Sequence, residues 1–384
     1  MTPDERELRR ALEARSGEVS PEFRARLAGS FEQGRPGVGG MQAIALVAVI
    51  VLSVASIGIL VMARNAGRIS HEGPASGARL PSPTAGQVFL PQTAQLSAPS
   101  VDLIWAFFAQ GFLFRSTDRG DTWEQRPLPA AYASGGYPVL SFVDAQRGWY
   151  SSGGVPETQC NGAGEEIWQT ADGGSTWQRA AVVTHDQPGP SGIAYAQCKT
   201  SLSFVDSTHG FLAAGDENRQ PSIYRTSDGG RSWKGSTLPD PPGFVTQAGG
   251  FTLQAGLVRE FGTTLLVPAW GMNSTTHQFD GYVFTSADGG ASWRVEAKIP
   301  DPATSIAIVT ASRWLQLVEP DQSSETTDLG KTWHAYQTDY SQAAPVAPQT
   351  IFADPLIGYA TVRGSIQRTT DGGAHWVMIK TPGT

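Results

Sequence analysis

TADGGSTW, at positions 170–177, holds the reading that decides the fold. The carboxylate of Asp172 is suited to accept backbone N–H bonds inside a tight turn, as an Asx-type cap. Glycine tolerates the positive φ that such a turn demands. The hydroxyl closes a local bond, and Trp177 starts an outgoing strand with a large apolar face. The pattern Ser/Thr-x-Asp-x-Gly-x-Ser/Thr-Trp recurs as STDRGDTW (116–123), TSDGGRSW (226–233), SADGGASW (286–293), TTDLGKTW (326–333) and TTDGGAHW (369–376). In the last copy His375 replaces the hydroxyl residue. Asp118, Trp123, Asp172, Trp177, Asp228, Trp233, Asp288, Trp293, Asp328, Trp333, Asp371 and Trp376 are therefore read as architecture. Catalysis needs one special site, and a residue used six times is not one.

A second repeat precedes several copies of the first: FVDAQRGW (142–149), FVDSTHGF (204–211) and FADPLIGY (352–359). Each reads as strand, Asp-containing turn, glycine and aromatic, then strand. Together the two repeats predict four strands per unit, for example over 139–143, 148–152, 166–170 and 176–183. Four-stranded units repeated along a chain describe propeller blades, and radial closure disposes of exposed sheet edges. The expected fold is all-β, a six-bladed Asp-box β-propeller over 99–384, preceded by one transmembrane helix.

The paired pattern is similar to that of the photosystem II assembly and stability factor family and its non-photosynthetic bacterial relatives. Asp boxes also occur in sialidases and sortilin-type receptors. The resemblance implies binding and assembly of membrane proteins, without implying photosynthesis. That family has seven blades; the stretch 86–96 offers a further strand, so the count stays open between six and seven. A sialidase would require an Arg-Ile-Pro segment, which is absent from the sequence, and converging arginines. Arg115, Arg225 and Arg368 stand in repeat-equivalent positions before their boxes and read as structural or surface residues. Other Asp-box glycosidases use two carboxylates across a cleft, so glycoside hydrolase is the alternative function. No Walker loop, dinucleotide fingerprint, zinc helix or nucleophile elbow occurs, and no cofactor or metal is expected.

Upstream of the repeats, QAIALVAVIVLSVASIGILVMA (42–63) carries no charge. About 22 residues at roughly 1.5 Å rise give about 33 Å, enough to span a bilayer core. A cleaved signal peptide is the rival reading, but the preceding region is too long for one. Seven arginines precede the span and fewer follow it, which places the N-terminus in the cytoplasm and the propeller outside. Residues 1–40 form a helical or disordered tail with Phe23, Leu27 and Phe31 on one face, 41–63 the membrane helix, and 64–98 a Gly/Pro/Ser-rich linker. A net charge of -7 argues against nucleic-acid binding.

In an antiparallel blade, the turns between strands one and two and between strands three and four share a face. The long insertions at 151–164, 185–200, 215–221, 238–250 and 271–281 map to the opposite face. Loops on a rigid scaffold are where binding concentrates. Glu157, His185, Tyr195, Asp216, Glu217, Arg219, His277, Phe279 and Asp280 are the candidate contacts for a protein or glycan ligand. Cys160 and Cys198, the two cysteines, fall in adjacent insertions and are expected to form a disulfide.

Overall fold

The structure, a computed structural model of the chain, describes residues 94–380 apart from 109–110, 130–138, 152–164, 185–188, 196, 217–218, 245–252, 274–275, 303–305, 319–321, 341–348 and 363–364. All of these lie in the unit Ala78–Thr384. The tail, the apolar span 41–63 and residues 64–93 of the linker fall outside the described residues. Among the described residues no helix is long and apolar enough to cross a membrane.

Six antiparallel sheets follow one another along the chain. Blade 1 comprises β1 (Ala94–Ser97), β2 (Ile104–Phe108), β3 (Phe112–Ser116) and β4 (Glu124–Arg126). Blade 2 comprises β5 (Val139–Phe142), β6 (Gly148–Ser151), β7 (Glu165–Thr170) and β8 (Gln178–Val183). Blade 3 comprises β9 (Cys198–Phe204), β10 (Gly210–Asp216), β11 (Arg219–Thr226) and β12 (Lys234–Thr237). In blade 4 two short strands, β13 (Gln254–Ala255) and β14 (Arg259–Phe261), both pair with β15 (Thr264–Met272), followed by β16 (Phe279–Ser286) and β17 (Arg294–Lys298). Blade 5 comprises β18 (Ile306–Ile308), β19 (Trp314–Gln316), β20 (Ser324–Thr326) and β21 (His334–Ala335). Blade 6 comprises β22 (Thr350–Phe352), β23 (Gly358–Val362), β24 (Ser365–Thr369) and β25 (Val377–Ile379). Among the described residues the count is six. Of the stretch 86–96, residues 86–93 lie outside the described residues, and Ala94–Ser97, inside the segment read as linker, is the innermost strand of blade 1.

The boxes fold as their composition dictates. In all six, the Asp Oδ1 accepts the N–H four residues on, at 2.8–3.0 Å. In five, Oδ2 accepts the hydroxyl of that same residue at 2.6 Å. In the sixth, His375 Nδ1 takes that place at 2.5 Å. The first hydroxyl of each box donates to Oδ1 and accepts the N–H of the second turn glycine. The turn needs two successive left-handed residues, which is why Gly173–Gly174 and their equivalents are glycines. Arg119 and Leu329 adopt that conformation without being glycine, at φ 64° and 65°.

Between blades the packing repeats as well. Phe204 on β9 lies flat under Trp149 of blade 2, with ring centroids 3.6 Å apart, and takes Trp233 of its own box edge-on at 5.9 Å. A Cβ at Gly210 would come within 2.6 Å of the Phe204 ring, so glycine is required there. Phe142 stacks in the same way on Trp105 and faces Gly148. The glycine–aromatic step of the second repeat thus makes room for an intercalated ring.

Among the described residues the ring closes without strand exchange. β1 pairs with β2 and β25 with β24, each inside its own blade. The seam between blades 6 and 1 is held by Gln349, whose Oε1 accepts Leu96 N–H at 2.5 Å and whose Nε2 donates to Leu96 O at 3.3 Å. Trp123 Nε1 donates to Lys380 O at 2.6 Å, and Arg368 Nη1 to Arg119 O at 2.7 Å. One buried cluster spans both blades, with Leu96, Ile104 and Phe114 against Ile351, Tyr359 and Ile379.

Candidate functional site

The turn between the first two strands of a blade grips the Asp box of that blade. In blades 2, 3, 5 and 6 it occupies 143–147, 205–209, 309–313 and 353–357. Its second residue caps it: Asp144, Asp206 and Asp354 accept backbone N–H bonds, and Thr310 Oγ1 does so in blade 5. The carbonyl of its fourth residue then accepts an N–H from the box, as in Gly173 to Gln146, Gly229 to Thr208, Leu329 to Ser312 and Gly372 to Leu356. In blade 1, Arg119 N–H donates to Asp102 O in the same manner.

Blade 4 breaks the pattern. Its turn is Gly262 and Thr263 alone, and it has no residue to supply that carbonyl. A Cβ at Gly289, the box glycine of blade 4, would meet nothing within 4 Å, whereas at Gly173 it would meet Ala145 O at 2.7 Å and at Gly229 Ser207 O at 3.2 Å. The missing turn leaves a cleft of about 660 Å³ between blades 3 and 4, on the Asp-box face. Its walls are Phe211 and Trp233, both buried, with Val205 at the rim, Arg225 and Lys234 on the blade 3 side, and Glu260 in the middle of β14.

Charge in the cleft is arranged by these elements. Burial alone would raise the Asp206 carboxyl, but N–H bonds from His209 and Thr208 outweigh it and hold the group below the usual carboxylate range. His209 Nδ1 lies 2.8 Å from Asp206 Oδ2. Glu260 goes the other way: it is exposed overall, yet partial desolvation of its carboxyl, with the neighbouring Asp206 charge, pushes its pKa up. Arg225 Nη1 is spent on Gly290 O at 2.9 Å, across the blade boundary.

The innermost strands face the axis with few charged side chains. Small polar side chains stitch them together: Ser97 with Phe142, Ser141 with Phe204, and Ser201 with Gly256 O. Their charged residues are Lys199, Arg259 and Glu260. Lys199 is buried and donates to Gln197 O at 2.7 Å. Arg259 Nη2 donates to Phe352 O of blade 6 at 2.9 Å, and Leu257 packs on the cluster shared by blades 1 and 6. Since blade 4 does not adjoin blades 1 and 6, these contacts cross the axis. The arginines before the boxes do not converge either: Arg115 reaches Ala145 O and Arg368 reaches Arg119 O, each in the next blade.

On the opposite face, the sequence-derived contacts fall out as follows. Glu157, His185, Glu217 and Cys160 lie outside the described residues. Cys198, at the start of β9, is disulfide-bonded. Tyr195 is half-buried against the core of blades 2 and 3. The expected loop 215–221 is a tight hairpin, with Asp216 and Arg219 paired in register. The insertion 271–281 is likewise shorter than expected, because β15 runs to Met272 and β16 begins at Phe279. His277 sits at its tip with φ 54°, and Phe279 is 40% exposed. Asp280 differs from the expected surface contact: it is buried, with Lys298 Nζ at 2.7 Å and Asn273 Nδ2 at 3.3 Å. The cleft escaped the sequence reading, since its signal is a turn that is missing.

Fold and site together define a six-bladed Asp-box β-propeller with a cleft at one blade boundary. No protein-family model matches the chain. It is 26% identical over 255 residues to the xyloglucanase Xgh74A of Acetivibrio thermocellus, covering 58% of this chain and 28% of that protein. It is 28% identical over 158 residues to a xyloglucanase of Paenibacillus sp, covering 36% of this chain and 14% of that one. The chain thus spans little more than a quarter of the length of the first. Similar solved structures include YCF48, a photosystem II assembly factor, bound to D1 peptide, with TM-score 0.44, 16% identity, and coverage of 76% of this chain and 83% of that one. YCF48 from Cyanidioschyzon merolae gives TM-score 0.43, 19% identity and coverage of 76% and 87%.

Proposed function

We propose that the chain is a membrane-anchored, extracytoplasmic binding scaffold that engages its partner at the cleft between blades 3 and 4 and aids assembly of an envelope or membrane complex. The observation that carries the binding reading is the break in the repeat at blade 4, which opens a cleft while the axis is crossed by Leu257 and Arg259. The uncharged span 42–63 and the arginine excess before it support the anchor and its orientation. Val205→Trp would fill the mouth of the cleft. Crosslinking of the full-length protein in intact membranes should lose partner capture in this variant while its melting temperature stays put; undiminished capture would rule the cleft out. Protease added to spheroplasts should digest the propeller, and protection of the propeller would overturn the orientation.

Glycoside hydrolysis is the second reading. It is favoured by the likeness to the two xyloglucanases and by two carboxyls in one cleft, Glu260 pushed up and Asp206 held down, as an acid–base pair would be. Release of reducing ends from xyloglucan by the wild-type protein, abolished by Glu260→Gln, would establish it in place of the scaffold.

A further inference from the structure

We propose that the cleft accepts a basic side chain, arginine or lysine, of a protein partner, anchored on Glu260; this rests on the reading of the cleft as the binding surface. The other glutamates whose side chains the structure describes are already matched. Glu124 holds Arg115 and Arg126, Glu166 holds Arg179, Glu296 holds Arg294 and Glu325 holds Arg313, at 2.6–2.8 Å. Glu260 has no such cation among the described residues, although it stands beside Asp206 at the mouth of the cleft. Two adjacent carboxylates repel, and a cation placed between them relieves both. The basic residues of the cleft leave Glu260 without an ion pair: His209 is held on Asp206, with Nδ1 2.8 Å from Oδ2. Arg225 donates to the Gly290 carbonyl, and Lys234 sits on β12, the outermost strand, while Glu260 sits on β14, an innermost one.

The remaining walls fit the stem of a long basic side chain. Val205 presents exposed apolar surface at the rim, above the buried rings of Phe211 and Trp233. Arg and Lys lay their methylenes along such surface and keep the charged head on a polar group.

The test uses the full-length protein and two short probes, acetyl-Gly-Arg-Gly-amide and its citrulline counterpart, which differ in charge and hardly in shape. Titration calorimetry should show saturable binding of the arginine probe, a loss of at least roughly tenfold in Glu260→Gln, and no binding of the citrulline probe. Lys234→Ala should leave affinity within about twofold. Equal binding of the two probes, no binding of either, or unchanged affinity in Glu260→Gln overturns the proposal. Glu260 is exposed, so a melt of Glu260→Gln should match the wild type and exclude misfolding as the cause. Partner capture separates the two levels: if Val205→Trp loses its partner while Glu260→Gln keeps it, the cleft stands and the basic side chain falls. If Val205→Trp keeps its partner, the cleft itself is rejected.

Discussion

At Asp172 the hydroxyl and the N–H of Thr176 hold the carboxyl at about 2, against an ordinary 3.8. Asp118 is held at about 2 by Thr122 first and Ser116 next, and Asp328 at about 2 by Thr332. Burial would raise Asp228, yet bonds from Ser232 and Thr226 bring it down; Asp288 is lowered by Ser292. A carboxyl depressed by folding stabilises above its unfolded value, near 4, and loses that contribution as pH falls through its folded one. The propeller should therefore lose stability between about pH 4 and pH 2. A melt series is the measurement, and Asp172→Asn should reduce the acid slope. Box six adds a second dependence. Asp371 raises the pKa of His375 by hydrogen bond and by charge. That contribution is complete below about 6.5, the unfolded value, and is lost as pH rises through the raised folded one. The melting difference between wild type and His375→Thr should accordingly drift across neutral pH, while the same comparison for Thr332→Ser stays flat.

At the scale of the element, the Asp boxes were legible because each residue answers a local demand that recurs six times. The first turn was legible only where Asp marks it. Asp144, Asp206 and Asp354 announced it, whereas Thr310 performs the same capping in blade 5 without resembling them. Blade 4 could not be read, because Gly262 and Thr263 replace the motif with nothing, and the resulting space exists only once two blades are docked. The opposite face was overdrawn for a related reason: polar and glycine-rich stretches at 215–221 and 271–281 read as loops, while ladder bonds extend the strands into them as far as Asp216 and Arg219, and Met272 and Phe279. One comparison isolates the turn that blade 4 lacks. Asn tolerates left-handed φ, so Gly173→Asn and Gly289→Asn carry similar backbone cost. Only the first collides with the turn above it, at Ala145 O. Chemical denaturation should show Gly173→Asn destabilised by about 1–3 kcal/mol and Gly289→Asn by less than about 1 kcal/mol.

For the whole molecule, contiguity along the chain sets how the ring holds together. Every blade is one uninterrupted segment, so five boundaries are bridged by the chain itself and the sixth by side chains of blades 1 and 6. Gln349→Ala removes both bonds to Leu96, worth about 1 kcal/mol each. Hydrogen exchange should accelerate at the Leu96 amide in this variant and not at the Phe204 amide, which Ser141 holds. Equal acceleration at both would mean that the ring opens everywhere at once.

The seam also has a mechanical side. The chain enters the propeller at β1, the innermost strand of blade 1, and β1 is the strand that Gln349 of blade 6 clasps. Any tension arriving from upstream of Ala94 would bear first on the latch that shuts the circle. Pulled from that end, the domain would unzip like a belt at its buckle, whereas pulled from the other end it would first shed the short outer strand β25 and the Trp123–Lys380 bond beside it, before tension reached Gln349.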